Sequence, residues 1–442
     1  MTPFQSRRAR LASNSAAAAL LSLFTLASVA AAPPLTTSAA RIQHVFVIVL
    51  ENKNYENTFG TSRQDPYLRH TLVPAGALLT QYYGTGHYSL DNYISLMSGQ
   101  APTADTEEDC APEIDGHDSY IDVEPTGLTA DGQVVAQRGC IYPASVRSLP
   151  DQLEAAHRSW RGYMQDMGND PARERATCGH PPLGRGTDLT TAAEAPSHAV
   201  PQGDAYATRH DPFMYFHSII DSPACDTHVV RLEHLSQDLQ RIETTPHFAF
   251  ITPNLCEDGH DGSGTGAKGT TCVNGKPGGL TSADRFLKTW VPRILASPAY
   301  RRDGLLIITF DEGDSVVHRS VDAGSGQAHV EVVYPGRRCC GQQPGPNIAA
   351  DRPGRQRIVE KPTETVDVVF QDYGGDRIGA VLLSPFIKPG SRSDVPYNHY
   401  SLLRSIEDIF QLPEHLGYAA DNPDHDYRLH SIGEDRAIFK AP

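Results

Sequence analysis

Continuous apolar runs that end in chemically capable residues, with helical segments between them, predict an α/β chain. The expected core is a doubly wound, mostly parallel sheet with helices on both faces. The first run, Val45 to Leu50, leads into Glu51-Asn52. Phe248 to Ile251 leads into Thr252-Pro253-Asn254, Leu305 to Phe310 into Asp311-Glu312, and Ile378 to Leu383 into Ser384-Pro385. Runs without polar alternation suit strands covered on both faces, as in a parallel sheet. Between them, Ser89 to Met97 spaces Leu90, Tyr93, Ile94 and Met97 at helical intervals. Ser282 to Leu295 carries Phe286, Leu287 and Trp290, with Ser282 as a cap and Pro292 expected to kink or end the helix. Ser401 to Phe410 places Leu402, Leu403, Ile406, Ile409 and Phe410 on one stripe. Ligands of open α/β sheets bind beyond the carboxyl ends of the strands, which is where the polar residues gather here.

The chain has 442 residues, 39% hydrophobic and 21% charged, which excludes wholesale disorder. Its net charge of -15 argues against a nucleic-acid partner or an anionic membrane surface. Arg7, Arg8 and Arg10, then the apolar stretch Ala16 to Val29, then Ser28-Val29-Ala30-Ala31-Ala32 read as a signal peptide over residues 1–31. No later stretch is long and apolar enough for a stable membrane anchor, so a secreted or periplasmic chain is expected. The eight cysteines of such a chain read as disulfides, with Cys256–Cys272 as a local pair. Residues 32–442 are read as one domain. Long disulfide-bearing loops are expected at about 101–147, 166–230, 262–280 and 336–357.

Several residues could carry chemistry. Glu51-Asn52 and Asp311-Glu312 follow two of the predicted strands, where a lone acid is ordinarily a loop or cap residue. Two acidic strand ends in one sheet repel unless a cation or a proton neutralises them. Oxygen ligands suit a hard cation such as Mg2+, Ca2+ or Mn2+. Ser89 starts a predicted helix, either as its cap or as a hydroxyl nucleophile beside a metal and an anion-binding helix end. Asp258, His260 and Asp261 crowd one turn after a strand. His87, His260 and His399 each sit at a junction of loop and element, where an imidazole can hold phosphate oxygens or protonate a leaving alkoxide.

Taken together, five segments resemble the phosphoesterase family that contains secreted acid phosphatases and bacterial phospholipases C, within the alkaline-phosphatase-like superfamily. They are His44 to Gly60, His87 to Gly99, Thr252 to Asp261, Leu306 to Asp314 and Ser384 to Phe410. The resemblance implies an alkaline-phosphatase-like fold. It implies metal ligands at Glu51, Asn52, Asp311 and Glu312, with Ser89 as nucleophile and ligand, and Asp258 is added to that set. It implies phosphate-facing histidines at His260 and His399, with His87 as a further candidate. In two-zinc relatives a His follows the Asp matching Asp311; here Glu312 stands there, which points to one hard cation and leaves zinc open. Tyr88 replaces the Pro of the relatives' His-Pro-Ser.

The expected function is a secreted, metal-dependent phosphomonoesterase of acid-phosphatase type that works through a phosphoserine on a small phosphate ester. A phospholipase C-type phosphodiesterase acting on phospholipid is the enzymatic alternative. A non-catalytic secreted protein that binds metal or phosphate is the other. A sulfatase is disfavoured because no Cys-x-Pro-x-Arg segment occurs.

Overall fold

The computed structural model describes residues 34–61, 63–110, 120–169, 171, 174–183, 205–260, 272, 277–348, 356–361, 363–421 and 429–442. The expected signal segment, Asp261 and most of the 262–280 loop lie outside these residues. The chain from Ala31 to Pro442 forms one compact unit.

Its centre is an eight-stranded sheet. The strands are β1 (His44–Leu50), β2 (Ala77–Leu79), β3 (Trp160–Met164), β4 (Val229–Arg231), β5 (Phe248–Thr252), β6 (Gly304–Phe310), and two later strands, Ala380–Leu383 and Ser391–Ser393. Across the sheet the order is Ser391–Ser393, β2, Ala380–Leu383, β6, β1, β5, β3, β4. β1 pairs in parallel with both β5 and β6, so the first strand lies at the middle. Every residue of β1, β5 and β6 is buried, which explains the unbroken apolar runs.

Ala380–Leu383 departs from expectation. It is antiparallel to both neighbours, β2 and β6, so Ser384-Pro385 follows the end of the strand opposite to the site. Its four residues are buried on both faces like those of its parallel neighbours, so an apolar run alone does not reveal direction.

Three long helices match the helical signals, α1 (Ser89–Ser98) from its expected start and α2 (Gly279–Ala296) and α3 (His399–Phe410) with earlier starts. Ser282 lies inside α2, and Pro292 does not end it. Phe286, Leu287, Trp290, Val291 and Ile294 bury one face of α2, and that burial outweighs the hydrogen bond lost at the proline. α3 starts two residues before its predicted first residue, because the Asn398 side chain accepts from the Ser401 N–H in a capping box.

A second sheet was not foreseen. Between β6 and Ala380–Leu383 lie β7 (Val316–Val321), β8 (Ala328–Tyr334), β9 (Gln356–Lys361) and β10 (Glu364–Phe370), and the two remaining strands of the main sheet become β11 (Ala380–Leu383) and β12 (Ser391–Ser393). The order is β7-β8-β10-β9, with β8 and β10 parallel. The expected 336–357 loop therefore runs from β8 into β9, and its last two residues belong to β9. Similarly, the 101–147 loop contains a hairpin, Pro125–Leu128 against Val134–Ala136. The disulfides are Cys110–Cys140, Cys178–Cys225, Cys256–Cys272 and the adjacent pair Cys339–Cys340, and no cysteine is left free.

One close approach locks β6 against the loop ahead of α1. A Cβ on Gly84 would sit 2.7 Å from the Asp311 carbonyl oxygen and 2.9 Å from that of Gly375. Both obstacles are backbone and cannot rotate away. Gly84→Ala is expected to cost about 1–3 kcal/mol of stability, read from denaturant unfolding of the oxidised chain; an unchanged midpoint would contradict this packing.

Candidate active site

β6, β1 and β5 are neighbours and point the same way, so their carboxyl ends deliver Asp311, Glu51 and the turn holding Asp258 to one place. All three carboxylates are fully buried. The backbone ties them together. Glu51 N–H donates to the Asp258 carbonyl at 2.9 Å, and Asn52 N–H donates to Asp311 Oδ1 at 2.9 Å. Asn52 adopts φ 54° to do so.

Ser89 opens α1 and is 4% exposed. Its hydroxyl donates to Glu51 Oε2 at 2.8 Å. The Asn52 amide also donates to Oε2, at 3.1 Å, and the Tyr93 hydroxyl donates to Oε1 at 2.7 Å. Burial raises Glu51 well above its ordinary value of 4.5, and the charges of Asp311 and Asp258 push it further the same way. Asp311 is also raised by burial. Its Oδ2 accepts no N–H or O–H donor, whereas Oδ1 accepts two main-chain N–H groups.

The chain enters α1 under strain. Tyr88 has φ 80° and ψ 150°, a region nearly reserved for glycine, at a cost of about 1–3 kcal/mol. Glu312 Oε2 holds this loop by accepting from Tyr88 N–H at 3.1 Å and pairing with His87 Nδ1 at 3.2 Å. Glu312 is therefore turned toward the loop. Burial raises it well above 4.5, as do the charges of Asp311, Asp91 and Asp109.

The histidines divide. His399 is buried at the start of α3, with both nitrogens engaged: Nε2 donates to the Asp311 carbonyl at 2.5 Å and Nδ1 faces the Tyr82 hydroxyl at 3.0 Å. Burial lowers it to about 4, so it is neutral. It grips the end of β6 and has no ring nitrogen left for phosphate. His87 packs beneath Tyr334 and pairs with Glu312. His260 keeps solvent access over part of its surface, yet burial, then the charges of Lys53 and Arg209, lower it to about 3, so it is neutral; its backbone N–H donates to Asp258 Oδ1 at 2.9 Å.

Sequence reasoning missed three members of the site. His210 brings Nε2 to 3.4 Å from Glu51 Oε1 and Nδ1 to 3.9 Å from Asp258 Oδ2, and stacks on Tyr93. Burial keeps it neutral, well below 6.5. Beside it, Arg209 is 7% exposed and reaches Asp109 Oδ2 at 3.7 Å. Asp109 Oδ1 accepts from Leu90 N–H at 2.9 Å, within the first turn of α1. His210 and Arg209 lie in a single 3-10 turn, Thr208–His210, too short to leave a periodic signal in the sequence. Asp109 falls beside Cys110, and the Cys110–Cys140 disulfide was the signal available there.

Several oxygen donors of this set fit a hard divalent cation. Glu51, Asp258 and Asp311 concentrate negative charge away from water, and Asp311 Oδ2 faces no donor. Among the described residues no three His, Cys, Asp or Glu side chains are grouped so as to hold a metal ion, so only the chemistry of the donors speaks for a cation.

The profile of the Phosphoesterase family matches residues 62–413. A probable acid phosphatase of Kluyveromyces lactis is 22% identical over 276 residues, 62% of this chain and 49% of that protein. A phosphate-repressible acid phosphatase of Penicillium chrysogenum is 23% identical over 244 residues, 55% of this chain and 43% of that protein. The chain thus spans less than half the length of either relative. A solved protein of the alkaline phosphatase superfamily from Vibrio parahaemolyticus overlays with a TM-score of 0.42 at 10% identity, covering 89% of this chain and 72% of that one.

The charge crowding has a measurable sign. Glu51 is raised in the folded chain, so its stabilising share is complete below 4.5 and is lost as pH rises toward its folded value. In chelator, Glu51→Gln is expected to match the parent near pH 4 and to exceed it in stability by a margin that opens above 4.5. Thermal melts across pH check this; a constant margin would refute the coupling.

Proposed function

We propose that this chain, which belongs to the Phosphoesterase family, hydrolyses phosphate monoesters through a phosphoserine at Ser89. The observation that carries the reading is the 2.8 Å hydrogen bond from the Ser89 hydroxyl to Glu51, at the start of α1 and beside two further buried carboxylates. The acid phosphatases among its relatives support the monoester, and the four disulfides and basic-then-apolar leader support export.

Glu51 orients the Ser89 hydroxyl and accepts hydrogen bonds from both Ser89 and Tyr93. As the Ser89 oxygen bonds to phosphorus, its proton passes to Glu51; the bond to the leaving oxygen breaks, and that oxygen takes a proton from water and departs as the ester alcohol. Water then cleaves the phosphoserine and restores the hydroxyl. Arg209, held by Asp109 beside the first turn of α1, is the buried cation placed to offset charge on the equatorial oxygens. His210 is a neutral imidazole next to Glu51 and can pass a proton to or from it. His260 stands at the exposed rim, where it can meet the incoming ester. His399 and His87 act as positioning residues: one holds the end of β6, the other holds Glu312. A divalent cation held by Glu51, Asp311 and Asp258, with the Asn52 amide oxygen, would supply Lewis-acid stabilisation and lower the serine pKa.

Ser89→Ala should cut 4-nitrophenyl phosphate turnover by about 10³-fold or more and abolish a phosphorylated peptide trapped by acid quench. Wild-type turnover in Ser89→Ala would defeat the assignment, and faster turnover of phosphatidylcholine than of the monoester would favour a phosphodiesterase.

Asp311→Asn should lose comparable activity and, with it, activation by added Mg2+, Ca2+ or Mn2+ after chelator treatment. Metal titration of activity decides this; a chelated parent with full activity would remove the cation from the reading.

A further inference from the structure

The second sheet presents an aromatic wall to the loop that carries Ser89. β8 and β10 are parallel and in register, with Tyr334 opposite Phe370 at their ends. Their rings stack, 5.2 Å between centroids and 11° between planes. Tyr88, the residue before Ser89, lies 5.8 Å from Tyr334 and 6.4 Å from Phe370. Phe370 is buried, while Tyr88 and Tyr334 are half-buried, and His87 packs on Tyr334 from 4.8 Å. Packing among these rings does not explain a strained Tyr directly before the nucleophile, where glycine would relieve the backbone.

Resting on the phosphomonoesterase reading, we propose that Tyr88 and Tyr334 form the leaving-group subsite and select phosphate monoesters that carry a flat aromatic group. Such a group stacks on the phenol faces while the phosphoryl group meets Ser89. Aryl phosphates and nucleoside monophosphates share this chemistry.

Two measurements on the full oxidised chain test it. In the first, the Ser89→Ala background is titrated by calorimetry with inorganic phosphate, 4-nitrophenyl phosphate and adenosine 5'-monophosphate. At least one aromatic ester should bind more tightly than phosphate, and Tyr334→Leu should remove roughly three- to tenfold of that advantage, while Tyr334→Phe retains it. The ester that responds identifies the source. In the second, the ratio of KM for glycerol 2-phosphate to KM for the responding ester should fall by the same factor in Tyr334→Leu and in Tyr88→Leu. No aromatic advantage in binding, or an equal loss for phosphate and esters alike, overturns the subsite. Because binding is read without turnover, an inactive parent that still shows the stacking advantage would overturn the phosphatase reading and leave the subsite standing.

Discussion

Three carboxylates are shut away from water at adjoining strand ends, and most of the surrounding architecture answers to that crowding. Like charges at low dielectric repel strongly, and a buried carboxylate without partners is unstable. The chain meets this with donors. The Ser89 hydroxyl, the Asn52 amide and the Tyr93 phenol serve Glu51, and two main-chain N–H groups serve Asp311. These bonds reduce the repulsion without removing it, since Glu51 and Asp311 both remain raised. The remaining imbalance is what gives the centre an appetite for a proton or a cation, and it concentrates that appetite where a hydroxyl is already oriented.

The same constraint sorts the imidazoles. A histidine buried beside acids could relieve them by becoming cationic, yet desolvation opposes that for His210 and His399. His399 uses its neutral form instead: a backbone carbonyl only accepts, so Nε2 must carry the proton. That bond ties α3 to the end of β6, and Gly84 closes the gap from the other side. Asp311 is thereby held through its main chain, while Oδ1 takes two main-chain N–H groups.

Much of this was legible from residue order. Parallel strands buried on both faces must be apolar throughout, so β1, β5 and β6 could be read, and their polar successors Glu51, Asp258 and Asp311 with them. Ser89 could be read because a helix start follows a loop. Three things were hidden, each for a physical reason. The direction of β11 depends on the chain path that feeds it, which its composition does not record. His210 and Arg209 reach the site through a long loop whose course is a matter of tertiary packing. The second sheet was visible in principle: in Glu364-Thr365-Val366-Asp367-Val368-Val369-Phe370 polar and apolar residues alternate from Thr365 to Val368, the pattern of a half-exposed strand, and all but its last residue are half-buried.

The position of that second sheet separates chemistry from selectivity. It leaves the main sheet directly after Asp311-Glu312 and returns at β11, which pairs with β6 itself. The insertion therefore starts and ends on neighbouring strands, and changes within it need not alter the register of β6 against β1. Glu312 is the hinge between the two parts: its carboxylate steadies the loop ahead of Ser89, while its backbone carbonyl accepts from Lys53 N–H at the end of β1. A residue exchanged at Tyr334 would act on what lies beside the nucleophile without touching the carboxylates, whereas one exchanged at Asp311 would act on the reaction whatever ester is bound. A fold that keeps its charged centre on one sheet and its aromatic wall on another can vary the second while the electrostatic constraint on the first stays fixed.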